Sequence, residues 1–390
     1  MKLVNQLLER LHSRSSTRIA DGASTQNPDI AKVIHDALAS AGLDRSTSRG
    51  GEIAGVIDDA LTRAGLLGAK TAPAVAPTAR GVALPLSIPP VEARSELPGR
   101  PRGRFLSCSF ASLTGKLAYK LYVPASYDAN PERAFPLLVM LHGCTQSPDD
   151  FAAGTRMNAL ADLHGLLVAY PAQSANANGS KCWNWFRPQD QTRGGGEPAL
   201  IAGMTTQIGA EHRVDPTRIY IAGLSAGAAM AVVLGRTYPD VFVAVGAHSG
   251  LPYRAAHDTG SAFAVMRSGA AGVTEPTLQA GGKLMPTIVF HGDHDHTVAM
   301  ANGDGIIAQQ ANAVGISAAV TTQDNGIVPG GRRYMRTTYA DASGHTLLEA
   351  WRVHGGGHAW MGGSGSGSYT DPQGPDASAE MVRFFLQHAR

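Results

Sequence analysis

The sequence predicts the α/β fold class, with a mostly parallel central sheet and helices on both of its faces. Residues 136–141 and 166–170 are short, continuous apolar runs, which are typical of strands buried on both faces. Segments with helical periodicity separate such runs, and strands that alternate with helices pair in parallel. Ligands of these sheets bind beyond the carboxyl ends of the strands. We therefore expect the chemistry directly after the apolar runs.

The alternating pattern covers residues 104–390, which we predict to be one domain. Its predicted strands are 117–123, 136–141, 166–170, 218–222, 241–245, 287–290 and 348–353. Its predicted helices are 149–163, 198–212, 226–236 and 376–388.

Two different segments precede this domain. Residues 30–43 and 53–66 are copies of one amphipathic helix, identical at ten of fourteen positions and each ending in Ala-Gly-Leu. We interpret residues 1–70 as a helical extension and the Pro- and Ala-rich residues 71–103 as a linker. The two helices are expected to pack as a hairpin on themselves or on the main domain, or to dock on another apolar surface, such as a second subunit in a homo-oligomer.

Composition excludes several classes of function. The 390 residues carry a net charge of only +2, which argues against nucleic-acid binding through many phosphate contacts. The sequence has no apolar run near eighteen residues, so we expect no membrane span. Three cysteines do not make a disulfide scaffold, and no signal peptide is recognisable. The expected location is therefore the cytoplasm.

The strongest chemical signal is Gly-Leu-Ser-Ala-Gly at 223–227. It follows the predicted strand 218–222 and opens the predicted helix 226–236, which is the strand–turn–helix context of a nucleophile elbow. Glycine on both sides allows the tight turn that presents the serine above the sheet. We therefore predict that Ser225 is the nucleophile.

A serine hydroxyl needs a base, and the base needs an orienting acid. In this architecture the chain order is serine, acid, histidine. Asp295 follows strand 287–290 at the expected spacing, with Asp293 as the alternative. His358 lies in a glycine-rich loop after strand 348–353, with His354 as the alternative. The dense His and Asp residues at 291–296 also suggest a metal site, but side chains of an extended turn diverge, so we expect no metal.

The developing oxyanion needs hydrogen-bond donors. The backbone N–H of Ala226, directly after the nucleophile, is one expected donor. The second is expected in the turn after strand 136–141, from Cys144, with Thr145 or Gly143 as alternatives. The Cys144 thiol itself is expected to be structural. The sequence leaves open whether Cys144 forms a disulfide with Cys182, and thiol counting under denaturing conditions tests that pairing.

Together these motifs resemble one family. They are Leu-His-Gly-Cys-Thr-Gln at 141–146, Lys-Cys-Trp-Asn-Trp-Phe at 181–186, Gly-Leu-Ser-Ala-Gly at 223–227, His-Gly-x-x-Asp at 291–295 and Gly-His-Ala-Trp at 357–360. The segment 117–390 is similar to the esterases that include polyhydroxybutyrate (PHB) depolymerases and feruloyl or acetylxylan esterases. The resemblance implies an α/β-hydrolase fold, a Ser225–His358–Asp295 triad and no cofactor.

The resemblance also implies a substrate. Esters of 3-hydroxybutyrate, as polymer or oligomer, are expected, with a storage-granule surface as a further partner. Trp183, Trp185 and Trp360 are expected to contact the substrate, against the alternative that these rings belong to the core. Rival functions are a feruloyl or acetylxylan esterase, a serine peptidase, and a granule-coating protein without catalysis.

Overall fold

The computed structural model describes residues 103–270, 284–313 and 320–390. The predicted N-terminal extension, its repeat, and all but the last residue of the predicted linker lie outside the described residues. No described helix is long and apolar enough to cross a membrane.

Within these ranges the chain forms twelve strands, eight α-helices and one short 3₁₀-helix, Pro188–Gln191. The strands are β1 Arg104–Ser112, β2 Gly115–Val123, β3 Phe135–Leu141, β4 Leu167–Ala172, β5 Val214–Leu224, β6 Ala244–His248, β7 Thr287–Gly292, β8 Val320–Ile327, β9 Arg333–Ala340, β10 Thr346–Val353, β11 Trp360–Met361 and β12 Thr370–Asp371. The helices are α1 Ser126–Ala129, α2 Pro148–Thr155, α3 Met157–His164, α4 Gly196–Glu211, α5 Ala226–Thr237, α6 Thr259–Ser268, α7 Ala301–Ala313 and α8 Ala377–Phe385.

Ten strands form one sheet in the order β1-β2-β4-β3-β5-β6-β7-β10-β9-β8. The six central strands, β4-β3-β5-β6-β7-β10 in sheet order, pair in parallel, and the antiparallel pairs lie at the two sides. All seven residues of β3 are buried, and apolar clusters pack on both faces of the sheet. This confirms the predicted α/β class, and it brings the carboxyl ends of β3, β5, β7 and β10 to one edge.

Several element predictions were wrong in detail. The predicted helix 149–163 is two helices, α2 and α3, because Arg156 between them adopts a left-handed conformation with φ 55°. The predicted strand 241–245 is β6, three residues further along the chain. Among the elements that were not predicted are strands β1, β8 and β9 and helices α1, α6 and α7. These strands lie at the two sides of the sheet and are partly exposed, so they lack the continuous apolar run of a buried strand.

Candidate active site

Ser225 lies in a strained turn between β5 and α5. Its backbone has φ 57° and ψ −120°, a conformation that residues other than glycine rarely adopt. Its N–H donates to the His248 carbonyl oxygen on β6 at 2.9 Å. The strand–turn–helix context predicted from Gly-Leu-Ser-Ala-Gly is therefore present.

The glycines on either side of Ser225 are required by close backbone packing. A side chain at Gly227 would collide with the carbonyl oxygens of Leu141 and His142. A side chain at Gly223 would collide with the backbone of Gly227 and the Leu141 carbonyl. The elbow therefore packs directly against the turn that follows β3.

Asp295 and His358 form a hydrogen-bonded pair. They follow β7 and β10, which are parallel neighbours, so their loops leave the same edge of the sheet. Asp295 Oδ2 lies 2.7 Å from His358 Nδ1. Because an ionised carboxylate only accepts, Nδ1 carries the hydrogen and Nε2 is the nitrogen left to accept a proton.

The Asp295 carboxylate is buried and held on its other side by backbone groups. Its Oδ1 accepts from the N–H groups of Thr297 at 2.9 Å and Val298 at 2.8 Å. Burial by itself would raise the pKa of Asp295, but its bonds to neighbouring His291, His358 and the Val298 N–H outweigh that effect. The pKa is held well below its usual range, so Asp295 is ionised and favours an imidazolium beside it.

No hydrogen bond joins the Ser225 hydroxyl to His358 Nε2 in the part of the chain that the structure describes. His248 lies near both residues at this edge of the sheet. The His248 carbonyl binds the Ser225 N–H, and its ring lies close enough to His358 and Asp295 for their charges to affect its pKa. Bonds of this kind are often long without substrate and tighten when it binds.

The turn after β3 leaves the backbone N–H of Cys144 available. Gly143 N–H donates to Gln146 Oε1 at 2.9 Å, and Thr145 N–H donates to the Ser180 carbonyl at 2.7 Å. Among the described residues, the Cys144 N–H has no acceptor. Ala226 is the first residue of α5, so its N–H has no partner within the helix either. These two groups are the expected oxyanion donors.

The pairing of Cys144 with Cys182, which the sequence left open, is present as a disulfide. It joins the turn after β3 to the loop that follows β4. The same loop contacts the turn twice more, since Ser180 accepts from Thr145 N–H and Trp183 Nε1 donates to the His142 carbonyl at 3.1 Å. Cys108 is a free cysteine.

The three tryptophans expected to contact substrate are buried, which contradicts that expectation. Trp183, Trp185 and Trp360 are 0%, 4% and 1% exposed. Trp360 Nε1 donates to Ser378 Oγ at 2.9 Å, and its ring stacks on His248. Their rings fill the core beneath the site, because burying so much apolar surface stabilises the fold more than exposing it.

An aromatic residue that sequence reasoning missed lies beside the turn instead. Tyr369 is 47% exposed, and its hydroxyl is 3.2 Å from Thr145 Oγ1. Both residues have positive φ, 52° for Tyr369 and 67° for Thr145. A bulky residue in this conformation is a genuine outlier of the kind that clusters at functional sites. Its signal in the sequence was weak, because it lies in a glycine- and serine-rich loop.

The alternatives Asp293 and His354 are not part of this pair. They bind each other, with Asp293 Oδ2 2.8 Å from His354 Nδ1. No three His, Cys, Asp or Glu side chains among the described residues gather as metal ligands.

The family model described as Esterase PHB depolymerase matches residues 117–328, more than half of the chain. The chain belongs to this family. The match covers the turn at Ser225 and the candidate acid Asp295, whereas His358 lies beyond it.

Curated relatives carry the same two kinds of name that the motifs suggested. The chain is 37% identical over 272 residues to Poly(3-hydroxyalkanoate) depolymerase C of Paucimonas lemoignei, a match covering 67% of this chain and 62% of the relative. It is 29% identical over 252 residues to Feruloyl esterase B of Thermothelomyces thermophilus, covering 61% of this chain and 82% of that one.

The chain spans less than two thirds of the first two relatives' own length, 62% of the Paucimonas protein and 53% of Poly(3-hydroxybutyrate) depolymerase of Ralstonia pickettii. Among solved structures, acetyl xylan esterase from Aspergillus awamori matches with a TM-score of 0.58 at 20% identity, covering 73% of this chain and all of that one. That likeness supports the fold, which is of the α/β-hydrolase type.

Proposed function

We propose that the chain is a serine carboxylesterase that cleaves polyesters or oligoesters of 3-hydroxyalkanoates, poly(3-hydroxybutyrate) among them. The observation that carries this proposal is the 2.7 Å bond between Asp295 and His358 at the sheet edge where the Ser225 elbow lies. A carboxylate, an imidazole and an elbow serine are the groups that activate a hydroxyl for acyl transfer. The 37% identity to Poly(3-hydroxyalkanoate) depolymerase C supports the substrate class.

In the proposed first step, Ser225 Oγ attacks the ester carbonyl carbon while its proton passes to His358 Nε2. The negative charge develops on the former carbonyl oxygen, where the N–H groups of Cys144 and Ala226 stabilise it. The ionised Asp295 stabilises the imidazolium. When the intermediate collapses, the bond to the alcohol oxygen breaks and His358 gives its proton to that oxygen.

The second step releases the acid. His358 removes a proton from water, and the resulting hydroxide attacks the carbonyl carbon of the acyl-enzyme. The bond between that carbon and Ser225 Oγ then breaks, and the serine recovers its proton from His358. Every transfer uses groups of this chain and water, so the proposal includes no cofactor.

The second candidate is a feruloyl or acetylxylan esterase. The 29% identity to Feruloyl esterase B favours it, and the same three side chains would serve. The two candidates differ only in the acyl and alcohol groups that the cleft accepts. Hydrolysis rates on 3-hydroxybutyrate oligomers, methyl ferulate and acetylated xylan separate them, and faster cleavage of either plant ester would replace the polyester proposal.

Substitution Ser225→Ala tests the proposed chemistry. Removing the nucleophile should lower kcat on any cleaved ester by about 10³-fold or more, because both steps run through the serine oxygen. Ser268→Ala, at the exposed end of α6, is the matched control and should leave kcat unchanged. Undiminished hydrolysis by Ser225→Ala would overturn the proposal, because catalysis would then not run through the Ser225 hydroxyl, whereas a wild type that cleaves no ester would leave the granule-coating alternative.

The expected cytoplasmic location remains a prediction, and the Cys144–Cys182 disulfide argues against it. Cytoplasmic thiols are normally kept reduced, whereas such bonds persist in oxidising compartments. Binding to a storage granule and assembly of a homo-oligomer through residues 1–70 also remain proposals. Thiol labelling of the protein taken directly from cells would decide whether the disulfide exists there.

A further inference from the structure

A second carboxylate–imidazole pair lies beside the first. Asp293 and His354 come from the same two loops as Asp295 and His358, and their bond of 2.8 Å is nearly as short. Unlike Asp295, whose side chain is fully buried, both partners are partly exposed. The mechanism proposed above does not use them.

The loop that carries His358 is rich in glycine, and its own backbone bonds are short-range, from Gly356 N–H to the Val353 carbonyl at 3.2 Å and from Ala359 N–H to the Gly357 carbonyl at 3.0 Å. Three consecutive glycines, 355–357, separate His358 from His354, the first residue after β10. Gly355 has φ 71°, and glycine loses more conformational freedom on folding than any other residue. Ordering His358 against Asp295 therefore requires contacts from outside the loop.

Asp293 supplies two of those contacts from its side chain. Its Oδ2 accepts from His354 Nδ1, and its Oδ1 accepts from the Gly355 N–H at 2.7 Å. Backbone bonds join the loops as well, from Asp293 N–H to the Val353 carbonyl at 3.1 Å and from His294 N–H to the Gly356 carbonyl at 3.0 Å. Gly292 and Gly356 approach so closely that a side chain on Gly292 would collide with the Gly356 backbone.

We propose that Asp293 and His354 are a positioning pair, which fastens the glycine loop to the acid loop and so keeps His358 aligned between Asp295 and Ser225. The proposal rests on the proposed esterase function. Burial by itself would raise the pKa of Asp293, but the bonds from His354 and Gly355 outweigh it and lower the pKa, so the carboxylate is ionised when it holds the loop.

The test is steady-state hydrolysis of a small soluble ester, p-nitrophenyl butyrate, by the full chain. Asp293→Ala removes both side-chain bonds and should lower kcat about tenfold, because misalignment of a general base reduces the reactive fraction. KM should stay within about twofold of the wild type, since neither residue is placed at the substrate. Asp293→Asn should recover most of kcat, because its amide oxygen still accepts from the Gly355 N–H.

His354→Ala should lower kcat by a smaller factor, roughly threefold, since the Gly355 bond remains. The double variant Asp293→Ala/His354→Ala should be no slower than Asp293→Ala, as expected for two residues that act as one unit. Asp341→Ala is the matched control. Asp341 also caps a turn, accepting from Ser343 and His345 N–H, but at the opposite end of β10, so kcat should not change.

Unchanged kcat in a folded Asp293→Ala variant would overturn the positioning pair, as would a loss that appears in KM alone. An equal loss in Asp341→Ala would overturn it too, because the effect would then be general. Thermal unfolding by circular dichroism shows which variants are folded, and His354→Ala keeps the test decisive if Asp293→Ala is not. A wild-type protein that cleaves no ester would refute the proposed function, whereas an active wild type with equally active variants would refute the pair alone.

Discussion

At the scale of single residues, the candidate site contains backbone conformations with positive φ, which are strained for any residue that has a side chain. Ser225 has φ 57° and Thr145 has φ 67°, each of which costs on the order of 1–3 kcal/mol. The tight turn at Ser225 could be predicted from the sequence, because it requires glycine at 223 and 227, where a side chain would collide with neighbouring backbone. The positive φ of Thr145 could not be predicted, because no glycine motif surrounds this residue in the sequence.

The choice between neighbouring candidates was also made from the sequence. Spacing favoured Asp295 over Asp293 and position in the loop favoured His358 over His354, and the preferred two are joined by the buried bond. The surroundings of the tryptophans could not be predicted in the same way. Glycine, asparagine and lysine around Trp183 and Trp185 suggested an exposed loop, but only packing decides which side of a loop faces the core.

His248 yields a prediction about protonation. Burial lowers the pKa of His248 well below its usual value, and His291 and His358 lower it further. Its Nε2 accepts from Met361 N–H at 3.0 Å, so that nitrogen carries no hydrogen in the fold. Long-range ¹H–¹⁵N spectra should show the His248 ring neutral from pH 8 to pH 5. A titration with a midpoint near 6.5 would contradict this.

The same shift predicts how stability depends on pH. The folded pKa of His248 lies below the unfolded value of about 6.5. The stability that depends on a neutral His248 ring is therefore complete above pH 6.5 and is lost as pH falls toward the folded pKa. The loss is at most about 1.4 kcal/mol per pH unit. Urea unfolding of the wild type and His248→Gln at pH 7.5 and 5.5 measures it. The variant should lose less stability, and equal losses would refute the assignment.

At the scale of elements, the buried centre of the sheet was predictable and its sides were not. Strands β3 and β4 are nearly all buried, so their apolar runs are continuous. Strand β9 is partly exposed and contains polar residues, which resembles a loop in sequence. Helices α2 and α3 merged into one prediction because nothing in the sequence marks Arg156 as left-handed.

The Cys144–Cys182 disulfide is the element-scale feature with the most direct consequence for activity. It ties the turn with the Cys144 N–H to the loop after β4, across 38 residues of sequence. Cys182→Ser should lower kcat by about tenfold, because a less rigid turn aligns the oxyanion donor less often. It should also lower the free energy of unfolding by roughly 3–4 kcal/mol.

Cys108→Ser is the control for this prediction, since Cys108 is the cysteine outside the disulfide. It should change neither kcat nor stability by a comparable amount. Dithiothreitol should lower the activity of the wild type toward that of Cys182→Ser. Full activity in the reduced wild type would show that the turn holds its shape without the bond.

At the scale of the whole molecule, every named contact of the candidate site joins residues within 104–390. Removing residues 1–103 should therefore leave kcat and KM on p-nitrophenyl butyrate within about twofold, by the rule that domains carry their own core. A larger loss would assign the N-terminal segment a part in catalysis. Binding of the full and shortened chains to polymer granules, measured in parallel, tests the amphipathic repeat.

By itself the sequence determined the fold class and the tight turn at Ser225, and it predicted an order of serine, acid and histidine along the chain. These are local properties, set by apolar runs, by glycines at a tight turn and by spacing after strands. Only the tertiary structure decided that Asp293 and His354 bind each other and that Cys144 pairs with Cys182. It alone decided that Trp183, Trp185 and Trp360 fill the core. Such contacts join residues far apart in sequence, and packing settles them once the sheet has brought its loops together.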